Sequence, residues 1–281
     1  FLSGHPILPE DMDIRDLPTA QLYEMNQAKS IPNERPLMSE PAPISALRTE
    51  YENGSSSFVA QIDDLVRQGF TSIIRTRGDG DCFYRSLAFA YIDQLIRAED
   101  PELAVATALS SFQSQRRVLE DANFDEIVYD LPCGVFTDLI KRIVSQSSDR
   151  LTPTSLLETF QDPDAPQYIV MYLRLLTSAQ IRTAPDEFEA FIMHPETGME
   201  MSITEFCELF VDPMGKEADH VQIAALSRAL RVRIQIAYLD GRSSDGKVEF
   251  VEFNHEPDSS RKPLLLLYRP GHYDIIDKNV V

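Results

Sequence analysis

The stretch Thr76-Arg77-Gly78-Asp79-Gly80-Asp81-Cys82-Phe83-Tyr84-Arg85-Ser86-Leu87 constrains this chain more than any other. A turn rich in Gly and Asp delivers a cysteine to the first turn of a predicted amphipathic helix, on which Tyr84, Leu87, Ala88, Tyr91, Ile92 and Leu95 recur at steps of three and four. Just upstream, Thr71-Ser72-Ile73-Ile74 is a short β-prone run. A helix N-terminus leaves backbone N–H groups unpaired and carries a partial positive charge. Both features favour a thiolate at Cys82, and both can receive an oxyanion. A nucleophile at this address needs a base brought to it from elsewhere in the chain.

The totals restrict the setting. With 281 residues, 43% of them hydrophobic, the chain can bury a sizeable core in one large domain or two small ones. Its 26 basic and 45 acidic residues give a net charge of -19, which repels a phosphate backbone and attracts a neutral or basic protein surface. Nucleic acid is therefore not an expected partner. Cys82, Cys133 and Cys207 share no CxxC spacing, and no secretory signal is read at the start, so reduced thiols in cytoplasm or nucleus are expected. No apolar run approaches the roughly 18 residues that a membrane span needs. No His, Cys and carboxylate cluster has metal-site spacing, so neither metal nor cofactor is expected.

Residues 1–43 hold seven of the eighteen prolines and read as an N-terminal arm, with a brief helix around residues 21–28; residues 44–281 read as the catalytic domain. Ile44, Leu47 and Tyr51, then Phe58, Ile62, Leu65 and Val66, mark two helices that end at Gly69. Beyond the Cys82 helix the reading is mostly helical for more than a hundred residues, with faces over Ala104–Leu119, Val135–Val144 and Tyr168–Ala179. Ser155-Leu156-Leu157-Glu158 and Ser202-Ile203-Thr204-Glu205 have capping-box form. From Asp219 the pattern changes. A capped helix runs to Leu230, and strands are expected at Arg231–Ile236, Lys247–Phe253, Pro263–Tyr268 and, after an Arg269-Pro270-Gly271 corner, His272–Ile276.

That last strand supplies the base. A thiol hydrolase needs an imidazole to share the thiol proton, a group to orient the imidazole, and N–H donors for the oxyanion. His272 enters the final strand and Asp274 lies two residues on; side chains at i and i+2 share a strand face roughly 7 Å apart, within carboxylate reach of the ring. Tyr273 faces away. Cys133, in Pro132-Cys133-Gly134, reads as a turn residue, and Cys207, beside Phe206 and Phe210, as core. His5, His194 and His255 fall in polar or Pro-flanked loops and are expected to be solvated, and His220 follows the capping Asp219 as a helix-end residue.

Asp79-Gly80-Asp81-Cys82-Phe83-Tyr84-Arg85-Ser86 is similar to the nucleophile motif of ovarian-tumour-domain deubiquitinases, and Arg269-Pro270-Gly271-His272-Tyr273-Asp274-Ile275 resembles the histidine motif of their otubain branch. Pro36–Glu40, Tyr172–Ser178 and Asp219–Leu226 look like further otubain landmarks, so the resemblance runs from about residue 36 to 277. It implies an α+β, papain-like fold with a small, mainly antiparallel sheet flanked by a large helical lobe. It also implies Cys82 as nucleophile, His272 as general base and acid, Asp274 as orienting carboxylate, and Asp79 shaping an oxyanion hole from the backbone N–H groups of Asp79, Gly80, Asp81 and Cys82. One departure stands out. Many family members carry Asn where this chain has Asp81, and a carboxylate beside Cys82 disfavours a thiolate unless it points into solvent or caps the helix.

The substrate implied by the resemblance is ubiquitin, cleaved at the isopeptide bond of its C-terminal glycine, with polyubiquitin chains of the proteasome-targeting type preferred. Arginines in the ubiquitin tail suit the acidic balance of the chain. Two alternatives stay open: a non-catalytic regulator that binds ubiquitin and ubiquitin-conjugating enzymes, and a papain-like hydrolase of ordinary peptides or amides.

Overall fold

The computed structural model describes residues 36–278 apart from 53, 55, 195, 196 and 255–261. The expected helix at 21–28, most of the proline-rich arm, His5 and His255 lie outside the described residues. Six strands form one sheet: β1 (Ala42–Pro43), β2 (Ser72–Ile74), β3 (Ile234–Tyr238), β4 (Glu249–Phe253), β5 (Leu264–Arg269) and β6 (His272–Asp277). Their order is β1-β2-β6-β5-β3-β4, and every pairing is antiparallel except β3 with β5.

Alternation along the strands divides the interior in two. Ile73, Ala237, Leu267 and Ile276 face a small core completed by helices α1 (Ile44–Tyr51) and α2 (Ser56–Arg67) through Leu47, Tyr51, Phe58, Ile62 and Leu65. Ile234, Ile236, Leu264, Leu266, Tyr273 and Ile275 face the larger core of the helical lobe. Neighbouring strand residues belong to opposite faces, which is why the two sets interleave. Gly69 ends α2 with φ of 88°, the left-handed conformation that a helix stop favours.

The lobe contains α3 (Cys82–Ile96), α4 (Pro101–Asp121), α5 (Glu126–Lys141), α6 (Pro153–Gln161), α7 (Asp164–Thr183), the short α8 (Pro185–Phe188) and α9 (Ile203–Phe206), and α10 (His220–Leu230). Helix α3 is not amphipathic. Every residue from Cys82 to Phe89 is buried, because the helix lies between the sheet and the lobe helices. Three local expectations are also corrected. Pro132 and Cys133 sit inside α5 and are buried, on the face of the helix that packs into the lobe with Tyr129 and Phe136, and that packing offsets the cost of the proline. The cap of α6 is Thr152, with Pro153 at the first helical position and Ser155 returning the reciprocal bond, so the capping box starts three residues before the expected one. Val66 is exposed, on the outer side of α2. By contrast Ser202 accepts from Glu205 N–H and Asp219 heads a full capping box with Gln222, as their sequences predict.

Candidate active site

The loop before Cys82 is held from every side. Arg77 N–H donates to the Leu37 carbonyl and Ser39 N–H to that of Arg75, so residues 37–39 run beside the segment leading into the loop. Asp79 accepts two bonds from Arg85, 2.8 and 3.1 Å, one from Arg77 Nε at 3.2 Å and one from Asp81 N–H at 3.1 Å. Burial alone would raise its carboxyl pKa, but these donors hold it below the usual range. Gly80 has φ of 81°, and a Cβ there would lie 2.0 Å from the Gly215 carbonyl oxygen, so only glycine fits.

His272 opens β6 after a two-residue turn, Pro270-Gly271, with φ of 71° at the glycine; proline followed by a positive-φ glycine suits a type II turn. His272 Nε2 and Asp274 Oδ1 are 2.8 Å apart, with His272 12% exposed and Asp274 fully buried. Tyr273 points the other way, into the lobe core, where its ring meets Phe83 edge-on. Burial alone lowers the imidazole pKa, yet the Asp274 carboxylate and the Cys82 thiol outweigh it and hold His272 above the ordinary imidazole range. Asp274 is pulled the opposite way from its own burial penalty, well below the ordinary carboxylate range, by Arg269, His272 and Thr76. With Nε2 committed to the carboxylate, Nδ1 is the nitrogen left for the thiol; a Cβ on Gly78 would lie 3.4 Å from it.

Two partners of Asp274 are absent from the reading of the sequence. Thr76 N–H donates to Oδ1 at 2.9 Å, and Arg269 Nη2 donates to Oδ2 at 2.5 Å. Arg269 precedes the Pro-Gly corner, and its place opposite His272 in the hairpin register is the signal that could have found it. Glu50 at the end of α1 extends this charge chain by pairing with Arg269 and Arg75. Ser86 then ties α3 to the strand, with Thr76 Oγ1 at 2.8 Å and the Tyr273 carbonyl at 3.3 Å.

Of the four N–H groups expected to face an oxyanion, two are occupied: Asp79 N–H donates to the Arg77 carbonyl and Asp81 N–H to Asp79. Among the described residues those of Gly80 and Cys82 have no acceptor. Asp81 neither faces solvent nor caps the helix; its Oδ1 is bound by the buried Arg174 and by Gly215 N–H. Cys82 is 2% exposed, and all three cysteines are free thiols. Cys207 is buried core, as expected, and His220 starts α10. His194 differs from its expected solvated state, since it is half-buried with its ring 5.4 Å from Phe210.

The family model described as peptidase C65 otubain matches residues 30–278. The chain belongs to the otubain family of cysteine peptidases. This otubain is 36% identical over 259 residues to ubiquitin thioesterase OTUB1 of Homo sapiens, covering 92% of this chain and 89% of that protein. It is 34% identical over 252 residues to the ovarian tumor domain-containing deubiquitinating enzyme 1 of Arabidopsis thaliana, covering 86% and 80%. A solved structure of OTUB1 with ubiquitin aldehyde and UBC13~Ub superposes on the otubain with a TM-score of 0.77 and 28% identity over 93% of this chain and 97% of that one. The α+β architecture with its mainly antiparallel sheet is thus the otubain one.

Proposed function

We propose that this otubain is a deubiquitinase that hydrolyses the isopeptide bond between the ubiquitin C-terminal glycine and a lysine amine, with Cys82 as nucleophile. The 2.8 Å His272–Asp274 contact, on an imidazole that also interacts with the Cys82 thiol at the start of a buried helix, carries the reading. His272 Nδ1 takes the thiol proton as Cys82 Sγ attacks the glycine carbonyl. The N–H groups of Gly80 and Cys82 receive the oxyanion, and Asp79 holds the loop in which they sit. His272 passes the proton to the leaving lysine amine, which leaves a thioester on Cys82. Water, deprotonated by the same imidazole, attacks the thioester and frees the ubiquitin carboxylate while the proton returns to the thiol. Asp274 keeps the ring in one tautomer throughout.

Relatives named ubiquitin thioesterase and deubiquitinating enzyme support the substrate class. We further propose chains of the proteasome-targeting linkage as the preferred substrate, residues 1–35, ahead of the residues 37–43 that pack into the domain, as the part of the N-terminal arm that helps hold the proximal ubiquitin, and the cytoplasm or nucleus as the compartment, in keeping with three free thiols. No helix among the described residues is long and apolar enough to cross a membrane. The decisive experiment is labelling by full-length ubiquitin bearing an electrophilic C-terminus under reducing conditions. One adduct on Cys82, absent from Cys82→Ala, is expected; an unlabelled chain refutes the proposal.

A second reading has its own support. Solved structures that match with TM-scores of 0.76 and 0.77 are complexes of OTUB1 with ubiquitin aldehyde and with UBCH5B~Ub or UBC13~Ub. A parallel role here is restraint of ubiquitin-conjugating enzymes without bond cleavage. Cys82→Ala should then abolish hydrolysis yet still slow chain synthesis by a ubiquitin-charged conjugating enzyme; loss of both together removes this second role.

A further inference from the structure

Arg174, on α7 and only 1% exposed, spends its guanidinium on two segments at once. Nε and Nη2 donate to Asp81 Oδ1 at 3.0 and 2.6 Å, and Nη2 also reaches the carbonyls of Gly80 at 3.1 Å and Lys216 at 2.5 Å. Nη1 donates to the Val211 carbonyl at 3.0 Å, and the guanidinium lies 4.3 Å from the centre of the Tyr84 ring. Gly215 N–H donates to the same Asp81 oxygen at 2.9 Å.

Peptide planarity turns these contacts into a constraint. The carbonyl of Gly80 and the N–H of Asp81 belong to one peptide unit and point in opposite directions. Arg174 holds the carbonyl end and the Asp79 carboxylate holds the N–H end, so the unit between the Gly80 and Cys82 N–H groups cannot rotate without breaking a charge-assisted bond. The packing of Gly80 against Gly215 closes the remaining side.

We propose that Arg174 is a positioning residue for the oxyanion loop, and that its pairing with Asp81 keeps the carboxylate next to Cys82 from opposing thiolate formation. The proposal rests on the reading of Cys82 as nucleophile. The ionisable groups around Cys82 and Asp81 are His272 and Asp274 of β6, Asp79 and Arg77 of the loop, Arg85 and Tyr84 of α3, Asp212 before Gly215, and Arg174 itself. Asp274 and Asp79 have their own arginines. Removing Arg174 therefore uncovers one carboxylate, that of Asp81.

The test uses the full chain and two measurements. One is the pH dependence of iodoacetamide alkylation at Cys82, followed by mass spectrometry; the other is kcat and KM for a fluorogenic ubiquitin C-terminal substrate. At an effective dielectric of about 20, an uncompensated charge on an adjacent residue moves a neighbouring ionisation by roughly one pH unit or more. Arg174→Gln should raise the half-maximal pH of alkylation by about that amount and lower kcat by about 10- to 100-fold with little change in KM. Asp81→Asn should shift the alkylation midpoint down, since Arg174 then lacks its counter-charge, and the double variant should bring it back toward wild type. Arg174→Lys restores the charge without the planar fork, so it should recover the midpoint but not kcat.

Arg174→Gln that folds with midpoint and kcat unchanged overturns the proposal, as does Arg174→Lys that restores both. Should Arg174→Gln fail to fold, Asp81→Asn decides: a midpoint that stays or rises overturns the proposal. Failure of the underlying reading looks different, because hydrolysis would then survive Cys82→Ala.

Discussion

Replacing Gly80 by alanine isolates the loop geometry from all acid–base chemistry. A Cβ at this position would sit 2.0 Å from the oxygen, 2.3 Å from the carbonyl carbon and 2.9 Å from the Cα of Gly215. All three are backbone atoms, so no rotamer change relieves the overlap. Ordinary carbon contacts lie at about 3.5 Å, so the two segments must part by about 1.5 Å. The φ of 81° adds roughly 1–2 kcal/mol for any residue bearing a Cβ. With overpacking of about 1–3 kcal/mol, the variant should lose about 2–5 kcal/mol of stability in urea unfolding. Misplacement by about 1 Å at a reacting centre costs on the order of 100-fold, so kcat for ubiquitin ester hydrolysis should fall by at least that factor at a temperature where the variant is folded. Gly69→Ala is the matched control: its φ is 88° but nothing lies within 4 Å of the new Cβ, so strain alone operates, far from the site. It should lose about 1–2 kcal/mol and keep wild-type kcat. A folded Gly80→Ala chain with kcat within threefold of wild type would refute the argument that this loop is held in one working geometry.

Arg269→Gln leaves a fully buried Asp274 oxygen without its cation, and breaking such a pair costs about 3–5 kcal/mol, measurable as a lowered urea midpoint alongside reduced kcat. The same cluster sets a pH dependence of stability with two signs. Asp274 is depressed in the folded chain, so its contribution is present above its unfolded pKa of about 3.9 and is lost as pH falls through the folded value; Asp274→Asn should flatten the acid side of the stability curve. His272 is raised, so its contribution is complete below its unfolded pKa of about 6.5 and is lost as pH climbs through the folded value; the stability gap between wild type and His272→Gln should narrow above neutrality. Burial pushes the Cys133 thiol up and that of Cys207 up to about 11, so both should resist iodoacetamide at neutral pH in the native chain and react after unfolding. Modification of Cys207 at native rates would contradict its burial.

What could be read from the sequence follows the range of each interaction. The His272–Asp274 contact is a period-two relation inside one strand, and the Pro270-Gly271 corner announces itself by residue type, so both were legible. Strands β2, β5 and β6 and the helix starts at Ser202 and Asp219 were legible for the same reason: side chain and backbone meet within a few residues. The all-round burial of α3 was not, because Arg85, Ser86 and Phe89 lie off the apolar stripe and become interior only when sheet and lobe close from both sides. Cys133 was misplaced because Pro-Cys-Gly is turn-forming locally, and tertiary packing overrode that preference.

The role of Asp81 illustrates the same limit and shows how a chain of net charge -19 balances the carboxylates around Cys82. Beside Cys82 and His272 stand three carboxylates, and each has its own buried arginine: Asp79 with Arg85, Asp81 with Arg174, Asp274 with Arg269. Every one of these arginines is at most 12% exposed, so each charge is balanced inside the fold and not by solvent. His272, held by Asp274 on its Nε2 side, is then the titratable group left to face the thiol. The acidic surplus therefore belongs to the outer surface, where solvent screens it and where a basic peptide tail can be drawn in. Two of the three arginines lie within six positions of their acids, but Arg174 is 93 positions from Asp81. No local pattern links residues that far apart, and a carboxylate next to Cys82 reads as a liability until the fold supplies its counter-charge.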